Sequence, residues 1–227
     1  MNMTQKEFNY IFDHTLLAPP ATEADLKKLC EEAVKYGFHT VAINTGTTQI
    51  CAEFLKGTDV LVDSAVGFPL GITTIESKVF ETEDAIRKGA GEIDYVINVG
   101  KMKAGDTAYI KDEMEQIVAA CHKHNVICKV IFENCYLTDE EKIKLCEIAK
   151  EVKPDFIKTS TGFSTGGATF ADIELFRENV GEGVQIKAAG GIASLEDAEV
   201  MIARGASRLG TSRIVKIAKN QTVSEGY

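Results

Sequence analysis

Only four prolines punctuate the 227 residues, and no low-complexity stretch separates one part of the chain from another. That scarcity argues against a linker and a second domain, and one domain spanning 1–227 is expected. No run approaches the ~18 apolar residues of a membrane-spanning helix, and the opening MNMTQKEFNY lacks the apolar centre of a signal peptide, so no membrane partner is expected. Basic clusters are missing too. With 25 Lys and Arg against 34 Asp and Glu, the net charge is −9 and the pI near 5.1, which speaks against nucleic acid as a partner. None of the six cysteines (Cys30, Cys51, Cys121, Cys128, Cys135, Cys146) pairs with another at the short spacing of a zinc or redox motif. Free thiols and a cytoplasmic location follow as expectations. The four histidines form no metal-spaced group, since His122 and His124 stand two apart on an expected helix and face different ways. Neither a metal nor a cofactor is expected.

What the chain does contain is alternation. Short Val- and Ile-rich runs near 12–17, 40–44, 59–66, 93–98, 126–132, 155–159, 184–188 and 207–210 alternate with segments of helical period. The segment TEADLKKLCEEAVKYG opens with Thr22 three residues before Asp25, a capping signal, and closes on Gly37. Further helices are expected over 74–89, 106–124, 138–152 and 194–205. Eight β/α repeats at this length predict an α/β protein built as a single (β/α)8 TIM barrel. An open doubly wound sheet fits less well, because its G-x-G-x-x-G fingerprint is absent.

Lys158 in DFIKTSTGF and Lys187 in VQIKAAGGIA interrupt two apolar strands at their C-terminal ends, where barrel enzymes assemble their active sites. Strands lie ~4.8 Å apart, so equivalent inward positions on strands six and seven bring two ammonium groups to about 5 Å. At an effective dielectric of ~20 their repulsion is about 3 kcal/mol, enough to push one lysine toward neutral pH and make it an amine nucleophile. A lysine at a strand end also has a plain alternative, reaching past the rim to solvent. Two on neighbouring strands favour chemistry.

In GEIDYVINVG, Asp94 shares a strand face with Val96 and Asn98, opposite Ile93, Tyr95 and Ile97. A carboxylate in mid-strand wants a cation, and Asp94 can pair with Lys187 across the interior and move protons. A purely structural ion pair is the alternative. Glycine-rich turns follow strands six and seven, with Gly166 and Gly167 in STGFSTGGAT and Gly190 and Gly191 in AAGGIAS. Together with the helix start in GTSRIVKIA, at Ser212 and Arg213, their backbone N–H groups can form a phosphate site. Tight turns need glycine as well, so the glycines alone leave both readings open.

The segments DHTLL, VGFPLG, EIDYVINVG, KTSTGF, GGAT, KAAGGI and GASRLGTS, read in that order, resemble the deoxyribose-phosphate aldolase family nearly end to end. The resemblance implies a class I aldolase that reversibly cleaves 2-deoxyribose 5-phosphate, a small phosphorylated sugar, into glyceraldehyde 3-phosphate and acetaldehyde. It implies that Lys158 forms the Schiff base, that Lys187 lowers its pKa, that Asp94 works with Lys187 in proton transfer and that Asp13 braces Lys187. Family members also end in a tyrosine able to reach the active site, which makes Tyr227 a supporting residue, although a solvated tail over 220–227 is the plain reading of KNQTVSEGY.

The chain departs from the family pattern at two places. Ser212, Arg213 and Ile214 stand where Ser-Ser-Gly or Ser-Gly is usual, and VAINTG replaces a segment like VCVNP. Three alternatives accompany the leading expectation: another Schiff-base sugar-phosphate aldolase, a transaldolase-like barrel, and a sugar-phosphate-binding barrel without chemistry. Assembly into a homo-oligomer is compatible with the sequence.

Overall fold

Strand residues that alternate between β-branched and polar or charged side chains must present two different surfaces, and here both are buried. The computed structural model describes residues 3–218. Its strands are β1 (Phe12–Leu16), β2 (Thr40–Asn44), β3 (Leu61–Val66), β4 (Glu92–Val96), β5 (Ile127–Ile131), β6 (Phe156–Lys158), β7 (Gln185–Ala189) and β8 (Arg208–Thr211). All pairings are parallel and run in sequence order, with β8 closing onto β1. The (β/α)8 barrel read from the alternation is what forms.

Ten helices accompany these strands among the described residues. They are α1 (Gln5–Asn9), α2 (Glu23–Tyr36), α3 (Thr48–Phe54), α4 (Ile75–Arg87), α5 (Val99–Lys103), α6 (Thr107–His122), α7 (Asp139–Val152), α8 (Phe170–Asn179), α9 (Leu195–Arg204) and α10 (Ile214–Ala218). α2 carries both expected end signals. Thr22 and Asp25 form a capping box, and Gly37 ends the helix at φ 70°, a left-handed conformation that costs glycine little. α1, α3, α5 and α8 lie outside the helices expected from the sequence. No helix among the described residues is long and apolar enough to cross a membrane.

Outward-facing residues such as Val41, Ile43, Val62, Ile93, Val130, Ile157, Ile186 and Leu209 join one apolar core with the helices. Each such side chain contributes about 1.5–3 kcal/mol relative to leaving it exposed. The inward-facing set is chemically different. Asp13, Asp63, Glu92, Asp94, Lys129, Lys158, Lys187 and Arg208 are all buried. Burying that many charges is costly unless they are paired. The apolar layer outside offsets the cost, and the pairing inside limits it.

Candidate active site

The parallel register sets Lys158 beside Lys187 and Asp94 beside Lys129. Side chains from opposite walls then meet in the middle of the barrel. Asp94 accepts from Lys129 through Oδ1 at 2.7 Å, and from both Lys158 and Lys187 through Oδ2, each at 2.7 Å. Lys187 also reaches Asp13 at 2.5 Å and Asp63 at 2.9 Å. Lys129 continues the set, 2.9 Å from Asp63 and 2.7 Å from Glu92. Arg208 joins Asp13 at 2.8 Å to Glu92 at 3.1 Å, and His39 meets Glu92 at 3.0 Å.

The pairing of Asp94 with Lys187 and the bracing of Lys187 by Asp13 are therefore present in the geometry. Lys129, Asp63, Glu92 and Arg208 are members that the sequence reading did not single out. The signal was available in LVDSAV, GEIDYV, ICKVI and SRLG. Each places a charge inside an apolar strand, the same feature that drew attention to Lys158 and Lys187. Carboxylate oxygens of Asp13, Asp63 and Glu92 lie within 4.8 Å of one another. Lys129, Lys187 and Arg208 are the cations that neutralise them.

This environment separates the two lysines. Burial lowers the pKa of Lys158; Asp94 opposes that shift and the neighbouring Lys187 adds to it. Repulsion between the lysines is thus a real contribution, with burial the larger cause. Burial also works against the charged form of Lys187, but Asp13, Asp63 and Asp94 outweigh it and hold that lysine's pKa up. One lysine can be a neutral amine while its neighbour remains an ammonium. For Asp94, burial is outweighed by Lys129, Lys158 and Lys187, which hold the carboxyl well below its ordinary range.

Above the cluster opens a cavity of about 460 Å³. Lys158 is the member of the buried cluster that lines it, and the other walls include Leu16, Leu17, Thr161, Phe163, Gly190, Gly191, Ile192, Ser212 and Arg213. Gly190 and Gly191 adopt successive positive φ values, 73° and 75°, which a side chain would strain. Gly166 and Gly167, expected to contribute to a phosphate site, are not among the residues lining this cavity. Gly167 instead packs behind the other loop: a Cβ there would stand 2.5 Å from the carbonyl carbon of Gly190. Gly166 faces the Cβ of Cys135. Their smallness lets two loops approach, and the N–H of Ala168 ties them by donating to the carbonyls of Ala189 at 3.0 Å and Gly190 at 3.1 Å.

Glu133, buried and at φ 58°, is a further residue missed from the sequence. Its carboxylate accepts from Thr161 N at 3.1 Å, from the Thr161 hydroxyl and from Ser164 Oγ at 2.9 Å. These bonds fix the loop that follows Lys158. Tyr227 lies outside the described residues.

Residues 9–212 match the DeoC/LacD family of aldolases. A deoxyribose-phosphate aldolase of Lactobacillus acidophilus is 57% identical over 217 residues, covering 96% of this chain and 92% of that protein. One from Caldanaerobacter subterraneus is 53% identical over 210 residues, covering 92% and 91%. Among solved structures, the tetrameric deoxyribose phosphate aldolase of Aeropyrum pernix superposes with a TM-score of 0.88 at 29% identity, covering 95% of this chain and 91% of that one.

Proposed function

The chain belongs to the DeoC/LacD aldolase family and is an aldolase, and from that premise we propose that it reversibly cleaves 2-deoxy-D-ribose 5-phosphate into D-glyceraldehyde 3-phosphate and acetaldehyde through a Schiff base on Lys158. The names of its relatives support the substrate. One observation carries the residue assignment: of the buried ionic cluster, Lys158 lines the cavity, while Asp94 and Lys187 lie beneath it.

In the cleavage direction, the neutral amine of Lys158 attacks the C1 aldehyde of the open-chain sugar, and loss of water leaves an iminium. Removal of the C3 hydroxyl proton lets the C2–C3 bond break. Its electron pair moves into the iminium to give an enamine, and C3 becomes the aldehyde of glyceraldehyde 3-phosphate. Protonation at C2 and hydrolysis release acetaldehyde and restore Lys158. Asp94, sharing its oxygen between Lys158 and Lys187, suits the relay of these protons through water. Gly190, Gly191, Ser212 and Arg213 line the same cavity as Lys158, and their backbone N–H groups and a guanidinium suit the phosphate. All six cysteines are free thiols, five of them buried. They suit a reducing compartment, and we place the enzyme in the cytoplasm.

Reductive trapping tests the assignment. Borohydride with acetaldehyde should leave an ethyl group on Lys158, located by peptide mass mapping. An adduct on Lys187, or no adduct in an active preparation, overturns it.

A further inference from the structure

The nucleophilic role of Lys158 requires it to lose a proton at the buried floor of the cavity, and the geometry offers a place for that proton to go. Among the described residues the barrel holds four buried cations, Lys129, Lys158, Lys187 and Arg208, and four buried carboxylates, Asp13, Asp63, Glu92 and Asp94. Fully ionised, the set is neutral. Deprotonating Lys158 leaves one excess negative charge with little solvent to screen it, unless a carboxylate takes the proton up.

The four carboxylates are not equally able to do so. Both oxygens of Asp94 accept from lysines. Both oxygens of Glu92 meet cationic or histidine partners, and Asp13 is held between Arg208 and Lys187. Asp63 differs. Its Oδ2 faces Lys187 and Lys129, each at 2.9 Å, but its buried Oδ1 has neither a hydrogen bond nor a cation among the described residues, whereas the Asp13 oxygen that also lacks a hydrogen bond stands 2.5 Å from Lys187. An ionised oxygen buried without a donor costs more than a protonated one. A continuous path also connects it to the nucleophile: Lys158 Nζ to Asp94 Oδ2 at 2.7 Å, Asp94 Oδ2 to Lys187 Nζ at 2.7 Å, and Lys187 Nζ to Asp63 Oδ2 at 2.9 Å.

We propose that Asp63 is a positioning residue that takes up the proton Lys158 must shed, so that the free amine forms without changing the charge of the barrel interior. Lys158 gives its proton to Asp94, Asp94 passes one to Lys187 as Lys187 gives one to Asp63, and the net change is ammonium plus carboxylate to amine plus carboxylic acid. Asp94 and Lys187 end as they began. The inference rests on Lys158 being the Schiff-base lysine.

The groups around Asp63 support this direction. From β4 it faces Glu92 and Asp94, from β1 Asp13, from β5 Lys129, from β6 Lys158, from β7 Lys187 and, beyond these, Arg208 of β8. The inward residues of β2, Thr40 and Ala42, carry no charge. Burial, then Asp94 and Asp13, push the Asp63 carboxyl up to about 6 against the pull of Lys129 and Lys187.

The pH dependence of kcat/KM and of acetaldehyde trapping in Asp63→Asn and Asp63→Glu tests the proposal. Asparagine fixes the uncharged form, leaving four cations over three carboxylates, so the acid limb of both profiles should move down by roughly one pH unit. Glutamate should return the limb toward its wild-type position. Coincident limbs in Asp63→Asn and wild type overturn the proposal, while trapping on Lys158 in both keeps the Schiff-base assignment intact. Trapping elsewhere in the wild-type protein sinks that assignment and the inference with it. Infrared difference spectra give a second measurement that needs no variant. A buried carboxylic-acid band should change with pH in step with the trapping rate, and a band that stays constant across that range counts against Asp63.

Discussion

Lys158 and Lys187 donate to the same oxygen of Asp94, each at 2.7 Å, from adjacent strands in register. The shared acceptor ties the two cations together, yet their surroundings differ: Lys187 has Asp13 and Asp63 as well, and Lys158 has the cavity. Lys187→Leu therefore removes a charge that lowers the pKa of Lys158. Activity at neutral pH should fall by about 10²–10⁴, and the remainder should rise toward alkaline pH. An unchanged pH profile in the folded variant would show that Lys187 does not tune Lys158. Three aspartates also lose a partner, so thermal unfolding should report a loss of about 3–5 kcal/mol.

Asp94→Asn separates two steps. The carboxylate raises the pKa of Lys158, so its removal should leave the amine more available, and trapping should persist at lower pH than in the wild type. Turnover should drop, because the proton relay has lost its shared oxygen. Disappearance of trapping would mean that Lys158 can shed its proton only through Asp94.

Gly167→Ala examines the loops without touching a charge. The added Cβ would stand 2.5 Å from the Gly190 carbonyl carbon and 2.7 Å from the Gly191 nitrogen, so one loop must move. If Gly190 and Gly191 hold the phosphate, the KM for phosphorylated substrate should rise several-fold. The KM for unphosphorylated deoxyribose and the trapping of Lys158 should hold. Equal changes for both substrates would remove these glycines from the phosphate site.

Strand positions were legible because a barrel strand buries both faces, and the apolar runs ended within about two residues of the observed elements. α2 was legible because its caps are local chemistry, written in Thr22, Asp25 and Gly37. α3 and α5 were not, since seven and five residues give too few turns for a period to show. α8 was hidden by its neighbours: it follows directly on the glycine-rich loop and places Leu175 beside Phe176, which blurs the stripe formed by Phe170, Ile173 and Phe176. In the site, Lys158, Lys187, Asp94 and Asp13 could be read from strand periodicity and family resemblance. The pairing of Lys129 with three carboxylates could not, because it depends on which residues of β3, β4 and β5 reach the same depth. The pairing register that fixes this depth is a tertiary fact.

Glu92 and Asp63 oppose one another in their effect on stability. Burial works against ionised Glu92, but Lys129, His39 and Arg208 outweigh it and lower its pKa from 4.5 to about 2. Its stabilising contribution is therefore present above about pH 4.5 and lost as the pH falls toward 2, on the order of 3 kcal/mol. Asp63 runs the other way. Its pKa is raised from 3.8 to about 6, so its contribution is complete below about 3.8 and lost as the pH rises through 6. Together they place maximal stability between about pH 3.8 and 4.5, with a decline toward pH 6, as far as these two groups set it. Thermal midpoints measured from pH 3 to 8 should show both limbs. Glu92→Gln should lower the midpoint at neutral pH and flatten the acid limb, whereas Asp63→Asn should flatten the limb above pH 5. An acid limb of wild-type steepness in folded Glu92→Gln would mean that some other carboxylate drives acid unfolding, and that the Glu92 contacts with Lys129 and Arg208 contribute little net stability.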